Sequence, residues 1–400
     1  MPAPMPRSNP TDPAAAEPTR QAASHTPASS LHLCFTGDVC LGSGIFTDRA
    51  GVTTPALLTD LHGMFRGSDL TVGNLEMSVA PHDGWRGGRR GAITVDPSRL
   101  EGLGRGPFQV FSLANNHVMD AGEAGLRGAC ALLQREGLAW LGAGVNCREA
   151  LRPLVVETRG RRVGLLAACD WSPHFARRTA AGIAPLEAGA LEARVVELAR
   201  QCDVVVVLLH ADLEFAAHPA PWRMRLARRL ARRGAHAVIQ HHPHVIQGWE
   251  RFDGAVIAYS LGNFVFRIDG NDYQAGRPGT RDGLILRLHV AFSDAGRACV
   301  TPRFEPVRIG PQHLPVPAGG DERERILQQL AVRSAELGDP RRVRAAWLCR
   351  SGVEVRRLLY GMYTDAARGA VRRAAAAPLR AALHPEDRRW LWGWLTAGHR

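Results

Sequence analysis

Lysine is absent from this chain of 400 residues, so all 50 of its basic side chains are arginines. The formal net charge of +12 would ordinarily direct attention to nucleic acid or to a membrane surface. A chain that uses arginine alone, however, indicates a bias in composition more than selection for phosphate contacts. We therefore predict no nucleic-acid partner.

The sequence also lacks long apolar runs and closely spaced cysteines. No stretch reaches the roughly 18 apolar residues that span a bilayer, and residues 1–30 contain no apolar segment of a signal peptide. The eight cysteines are scattered, without a Cys-X-X-Cys pair. These features predict a reduced, cytoplasmic protein.

Between its termini the chain alternates short apolar runs with helix-like segments such as 124–137 and 222–234, which predicts an α/β fold. Residues 1–30 are rich in proline and alanine and are expected to form a disordered tail. Residues 31–318 form the expected main domain. Residues 319–400, rich in alanine and arginine, form an expected helical extension.

The end of the chain, residues 388–400, places three tryptophans beside arginines. This composition fits contact with a membrane interface, or a helix that packs on the main domain. We favour the packed helix.

Five apolar runs end on a side chain that can bind a metal ion. The endings are Asp38, Glu76, Asn116, His210, and the pair His242 and His244. In open α/β sheets, ligands gather at the carboxyl ends of the strands. Carboxylate and imidazole donors suit Zn, Mn or Fe better than Ca or Mg. We therefore predict a site for one or two divalent transition-metal ions.

Each donor taken alone has a simpler interpretation. Asp38 could cap the next helix, Glu76 could be a turn residue, and His210 could be a satisfied core histidine. The stretch VIQHHPHVIQGWE (238–250) could be a polar loop, although its three histidines within four positions suggest a metal site. The occurrence of all these endings in one chain favours metal binding.

Six segments together resemble the signature of the CapA family of capsule or poly-gamma-glutamate biosynthesis proteins. They are GDVCLG (37–42), VGNLE (72–76), SLANNHVMDAG (112–122), LLHADLE (208–214), HHPHV (241–245) and YSLGNF (259–264). The family is a branch of the calcineurin-like metallophosphatase superfamily. The resemblance, over about residues 31–310, implies a four-layer α-β-β-α sandwich with a two-metal site between its sheets.

The resemblance implies a role for each candidate residue. The residues that correspond to metal ligands are Asp38, Glu76, Asn116, His210, His242 and His244. Asn74 competes with Glu76 for the position of the bridging acid. His117 corresponds to a catalytic histidine that faces the substrate, and Asp120 could orient it.

Three further residues are expected beside the ligands or in the pocket, namely Glu214, His241 and Asn263. Asn263 is either a structural loop residue or part of the pocket wall.

The chain departs from the family pattern at three positions. Cys40 stands where classical metallophosphatases have a histidine, and it is either a packing residue, as we expect, or a thiolate ligand. Asp212 replaces a glycine and adds a carboxylate near the site. Gln240 replaces the glycine usual before HHPH. These changes concern the substrate pocket and not the fold.

Two functions follow from these observations. In the first, the protein is a metal-dependent hydrolase that cleaves a phosphoester, or an amide of a glutamyl polymer, in capsule or poly-gamma-glutamate biosynthesis. In the second, it is a non-catalytic component of a capsule or polymer assembly with a residual or structural metal site. A polymer-synthesis ligase or capsule assembly proteins are the expected partners in both. The donor set together with His117 favours the hydrolase.

Overall fold

The structure, a computed structural model, describes residues 29–42, 58, 60–85, 87 and 91–367. The expected disordered tail, apart from its last two residues, lies outside this range. So do the tryptophan-rich segment 388–400 and the part of the expected helical extension after residue 367.

Eighteen strands and seven α-helices lie within the described residues. The strands are β1 (Ser30–Val39), β2 (Leu70–Leu75), β3 (Ser78–Val79), β4 (Thr94–Val95), β5 (Val110–Ser112), β6 (Ala139–Leu141), β7 (Ala143–Gly144), β8 (Leu154–Thr158), β9 (Arg161–Cys169), β10 (Gly182–Ile183), β11 (Val204–His210), β12 (Ala237–His241), β13 (Trp249–Phe252), β14 (Ala255–Ala258), β15 (Asn263–Val265), β16 (Asp282–Phe292), β17 (Ala298–Ile309) and β18 (Pro315–Pro317). The helices are α1 (Gly122–Arg135), α2 (Cys147–Ala150), α3 (Ala188–Ala199), α4 (Pro221–Arg232), α5 (Asp272–Ala275), α6 (Gly320–Glu336) and α7 (Pro340–Ala367). Short 3-10 helices span Asp60–Phe65, Pro97–Leu100 and Leu103–Arg105.

Two mixed sheets form the body of the protein. The first has eight strands, in the order β18-β17-β16-β1-β2-β5-β6, with β15 paired to β1. The second has six strands, in the order β13-β14-β12-β11-β9-β8. Strands β1, β2, β5 and β6 are parallel in the first sheet, and β9, β11, β12 and β14 are parallel in the second. Each sheet therefore presents the carboxyl ends of several neighbouring strands at one edge.

Alternating side chains of β11 divide between two hydrophobic cores. Val204 and Val206 pack with residues of the first sheet, whereas Val205 and Val207 pack with α3 and α4. Helix α1 packs on the first sheet next to β6, with Leu126 in its core. The layers are helix, sheet, sheet and helices, which confirms the predicted α/β fold and its four-layer α-β-β-α sandwich.

The C-terminal helices pack directly on this sandwich. Helix α6 contacts β13 and β17, one strand from each sheet. The backbone N–H of Trp249 donates to Ser334 Oγ at 3.0 Å, and the Arg333 guanidinium donates to the Ile246 carbonyl. Helix α7 contacts α4. The helical extension is therefore present as far as residue 367, while its division from the main domain at residue 318 remains a prediction.

Within the described part of the chain, no helix has both the length and the apolar composition required to cross a bilayer. All eight cysteines lie in this part, and none of them forms a disulfide.

Candidate metal centre

The carboxyl ends of the central strands of both sheets bring the predicted donors together. Asp38 lies near the end of β1 and Glu76 directly after β2, while His210 ends β11 and His242 and His244 follow β12. One donor atom each from Asp38, Glu76 and His210 lie within 4.8 Å of one another. The same limit holds for Glu76, His242 and His244. Glu76 belongs to both groups, as a carboxylate that bridges two ions would.

The backbone beside Asp38 is unusually close-packed. A Cβ atom on Gly37 would lie 2.0 Å from the carbonyl oxygen of Gly262, so only glycine fits this position. This approach lets β1 pair with β15 as well as with β2. Asp38 consequently lies in register between Asn74 on one side and Asn263 on the other.

The turn after β12 holds two ligand candidates in the left-handed region of backbone conformation. His242 has φ 98° and His244 has φ 56°, with Pro243 between them. Such conformations cost about 1–3 kcal/mol each in residues other than glycine, and they are typical of functional sites. The turn directs both imidazoles toward Glu76, since His242 and His244 share a donor group with it.

The two carboxylates at the centre are fully buried. Burial, followed by the charge of Asp38, raises the pKa of Glu76 well above its ordinary value. Burial also opposes the ionised form of Asp38, but the neighbouring imidazole of His244, whose Nδ1 lies 3.4 Å from Asp38 Oδ2, outweighs it and lowers the pKa of Asp38. Asp38 Oδ2 and both carboxylate oxygens of Glu76 accept no hydrogen bond from the described residues. Buried oxygens of this kind are costly unless a cation satisfies them, so this donor set fits a divalent metal ion.

His210 and Asn116 present their polar atoms to the same point. His210 Nε2 lies 2.8 Å from Asn116 Oδ1 and 3.6 Å from Glu76 Oε1. Burial, followed by the charges of the neighbouring histidines, lowers the pKa of His210 well below its ordinary value. The imidazole is therefore neutral, which is the form that binds metals.

The hydrogen bonds of the Asn74 side chain argue against this residue as the bridging ligand. Its Nδ2 donates to Asp38 Oδ1 at 2.9 Å, and its Oδ1 accepts from Asn115 Nδ2 at 3.3 Å. The oxygen of Asn74 is thus directed at Asn115, whereas Glu76 belongs to both donor groups. Glu76 is the better candidate for the bridging position.

Asn115, which the sequence reasoning missed, shapes the loop that carries Asn116 and His117. Its Nδ2 donates to the Leu75 carbonyl at 2.8 Å, and its Oδ1 accepts from the N–H groups of His117 and Val118 at 3.1 and 3.0 Å. The doubled asparagine of the ANNH segment was the available signal, because a buried asparagine commonly hydrogen-bonds nearby backbone in turns.

Asn263 lies against the ring of His244. Its Nδ2 donates to the Thr280 carbonyl at 3.0 Å, so its Oδ1 faces His244 Nδ1 at 2.9 Å. His244 Nδ1 therefore carries a proton, and Nε2 presents its lone pair 3.7 Å from Glu76 Oε1. Such a partner fixes the tautomer of a ligating histidine.

His241 connects the two sheets and is not one of the candidate ligands. Its Nε2 donates to the Thr36 carbonyl at 2.9 Å, which joins β12 of the second sheet to β1 of the first. His241 belongs to neither donor group. It therefore holds the two sheets in register beside the ligands.

A cleft of about 810 Å³ opens over the donors. Its lining includes Asn116, His117, Glu214, His242 and His244. His117 Nδ1 lies 2.7 Å from Asp120 Oδ2, which also accepts from the Ile93 N–H at 2.8 Å. This pairing leaves Nε2 of His117 for the cleft. A separate groove of about 880 Å³ over β16 and β17 is lined mainly by apolar side chains and contains none of the predicted residues.

Glu214 lies on the cleft wall, near the donors. Its Oε1 is 3.9 Å from His244 Nε2, and its other carboxylate oxygen accepts from the Tyr273 hydroxyl. The structure thus brings Glu214 to the pocket in which the sequence predicts it.

Asp212 directs its carboxylate toward the start of α4. Its carboxylate accepts from the Ala220 N–H at 3.2 Å, immediately before α4, and it belongs to neither donor group. The backbone of Asp212 has a φ of 86°, which glycine would adopt without strain. With this φ the carboxylate lies against the start of α4. Burial raises the pKa of Asp212 to about 6.

Cys40 is completely buried in the hydrophobic core between the layers and belongs to neither donor group. Its backbone N–H donates to the Val265 carbonyl at 2.7 Å. Its position agrees with a packing residue and offers no thiolate to the metal groups.

Gln240 gives a stability prediction with a matched control. It is completely buried, and neither polar atom of its amide has a hydrogen-bond partner among the described residues, whereas Gln247 donates to the Ala216 carbonyl at 2.8 Å. We expect Gln240→Met to raise the free energy of unfolding by about 1 kcal/mol, because it removes an unsatisfied amide. Gln247→Met should lower it by about 1–3 kcal/mol, because a buried carbonyl loses its donor. Urea titrations check both, and equal losses would contradict the account of Gln240.

Comparison with known proteins gives the family to which the chain belongs. The family model described as "Bacterial capsule synthesis protein PGA_cap" matches residues 32–268. The Bacillus subtilis "PGA biosynthesis protein CapA" is 28% identical over 278 residues, covering 68% of this chain and 71% of that protein. The Bacillus anthracis "Capsule biosynthesis protein CapA" is 26% identical, covering 66% of this chain and 65% of that protein.

Among solved structures, the 5'-nucleotidase precursor of Thermus thermophilus aligns with a TM-score of 0.41 at 16% identity. The alignment covers 77% of this chain and 59% of that one. The family model, by contrast, spans more than half of the present chain and includes all the donor residues described above. The chain therefore belongs to the bacterial capsule synthesis protein family PGA_cap.

Proposed function

We propose that this protein is a metal-dependent hydrolase of capsule or poly-gamma-glutamate biosynthesis that cleaves a phosphoester or a glutamyl amide. The observation that carries the proposal is the position of Glu76. Both of its buried oxygens lack hydrogen-bond donors among the described residues, and it is shared by two groups of metal-binding side chains beneath an open cleft. The proposed cofactor is one or two ions of Mn, Fe or Zn.

The proposed ligands are Asp38, Glu76, Asn116, His210, His242 and His244. Bound divalent ions supply Lewis acidity and lower the pKa of water at such a site. The chain keeps these ligands ready by burial: His210 is neutral, and Asn263 fixes the proton of His244 on Nδ1.

His117 is the proposed catalytic residue. Asp120 holds its Nδ1, so that Nε2 faces a substrate in the cleft. From there it can donate a hydrogen bond to the oxygen on which charge develops, or a proton to the leaving group. Its position on the cleft wall, outside both donor groups, supports this role.

The biological setting comes from relatives named for PGA and capsule biosynthesis and for polyglutamine synthesis as accessory proteins. We propose that this chain likewise acts with a polymer-synthesis ligase or a capsule assembly. A cytoplasmic location remains part of the proposal.

The test is hydrolysis by protein loaded with Mn, Fe or Zn, assayed on a chromogenic phosphodiester and on a γ-glutamyl anilide. We expect turnover of one of the two, abolished by a chelator and restored by the ion. Glu76→Gln, treated in the same way, should lower the rate by about 100-fold or more, because a bridging charge is lost. If the metal-loaded protein hydrolyses neither compound faster than Glu76→Gln does, the protein is a non-catalytic component of the assembly.

A further inference from the structure

The loop at residues 211–220, between His210 and α4, carries Glu214 into the cleft in a strained conformation. Two of its residues, Asp212 and Phe215, have φ values of 86° and 59°. Each such conformation costs about 1–3 kcal/mol and persists only where surrounding contacts impose it. The strained conformation of the 211–220 loop therefore requires contacts with the elements packed against it.

The turn that carries His242 and His244 supplies the first of these contacts. The N–H of Phe215 donates to the Pro243 carbonyl at 2.8 Å. Gln247, a few residues later, donates through Nε2 to the Ala216 carbonyl at 2.8 Å. These bonds fix the middle of the loop beside the proposed ligands.

The second set of contacts comes from the C-terminal helices. Arg350 Nε of α7 donates to the Glu214 carbonyl at 2.9 Å. His218 Nε2 lies 2.6 Å from Glu336 Oε2 at the end of α6. These helices lie outside residues 32–268, the part of the chain that the family model matches.

Trp347 adds an apolar contact at the same place. Its side chain is buried and packs in one cluster with Leu213, Ala216 and Ala220 of the loop. Its ring also meets Trp222 of α4 edge to face, with 4.7 Å between centroids. The indole therefore packs against the loop without lining the cleft.

Hydrogen bonds consequently fix both the main chain and the side chain of Glu214. Arg350 holds its main-chain carbonyl, and Tyr273 of α5 donates to one carboxylate oxygen. The other oxygen is left facing His244 Nε2 at 3.9 Å. We propose that Arg350 and Trp347 are positioning residues: the C-terminal helices hold the 211–220 loop so that the Glu214 carboxylate faces the metal centre. The kinetic consequence of this inference rests on the proposed hydrolase function.

A double-mutant cycle tests the proposal. Arg350→Gln, Glu214→Gln and the double variant are compared by kcat, KM and the Kd for Mn²⁺ measured by calorimetry. We expect Arg350→Gln to lower kcat/KM or Mn²⁺ affinity by about tenfold. The double variant should be no worse than Glu214→Gln alone, because Arg350 acts through Glu214. Arg341→Gln, an exposed position in the first turn of α7, is the matched control and should behave as wild type.

Hydrogen exchange gives a readout that needs no turnover. In Arg350→Gln the amides of residues 213–216 should lose protection, while those of β11 should not change. If no substrate is hydrolysed by wild type, the proposed hydrolase fails, and exchange together with Mn²⁺ affinity still decides the present inference. Unchanged exchange at 213–216, or losses that multiply in the double variant, would overturn it.

Discussion

His117→Ala is expected to reduce kcat by about 10²–10⁴-fold, the usual contribution of a positioned general acid or base, while the protein keeps its metal. The side chain lies on the cleft wall, and Asp120 holds its Nδ1 at 2.7 Å. It belongs to neither group of metal-binding side chains. Rates on a chromogenic substrate and elemental analysis of the same preparation provide the measurement.

The neighbouring residue supplies the control. Asn116 Oδ1 points toward His210 Nε2 at 2.8 Å, so Asn116→Ala should lose metal together with activity. The two variants differ by one position in the chain and are expected to fail for different reasons. Equal loss of metal in both would make His117 a ligand, and wild-type rates in both would exclude it from the reaction.

The candidate donors could be predicted from sequence because the carboxyl ends of parallel strands meet at one edge of a sheet. Every predicted donor ends or follows a short apolar run, namely Asp38, Glu76, Asn116, His210 and the pair His242 and His244. The segment VGLLAACD (163–170) has the same pattern of an apolar run that ends on a carboxylate, and it forms most of β9. This strand leads into Asp170, which forms a buried ion pair with Arg223.

Orientation could not be predicted from local sequence. Asp212 lies two residues from His210, yet its left-handed backbone turns the carboxylate toward α4. Asn263 reaches His244 only because β15 pairs with β1, after Gly262 and Gly37 come into contact. Such relations depend on register between strands that are distant in the chain.

The packing of the C-terminal helices could not be predicted from local sequence either. Composition predicts a helical extension over residues 319–400, in which α6 and α7 lie. The contact between Trp347 and Trp222 joins residues 125 positions apart, and a periodic pattern contains no information about such docking. The extension was therefore expected as a separate segment, whereas both of its described helices contact the 211–220 loop.

The double change His242→Ala with His244→Ala is expected to remove most of the bound metal. Both imidazoles share a donor group with Glu76, and Asn263 fixes the tautomer that leaves His244 Nε2 free to bind. Loss of both imidazoles would leave Glu76 as the only remaining member of that donor group. Circular dichroism of the variant should match that of wild type, because both residues lie in a turn and not within a strand or helix.

The measurement that addresses the central claim most directly is elemental analysis of purified protein, before and after incubation with Mn, Fe or Zn. We predict one or two equivalents of a divalent transition metal in wild type, and a small fraction of that amount in the double histidine variant. Wild-type protein that carries no metal and takes up none of the three ions would contradict the assignment of the site.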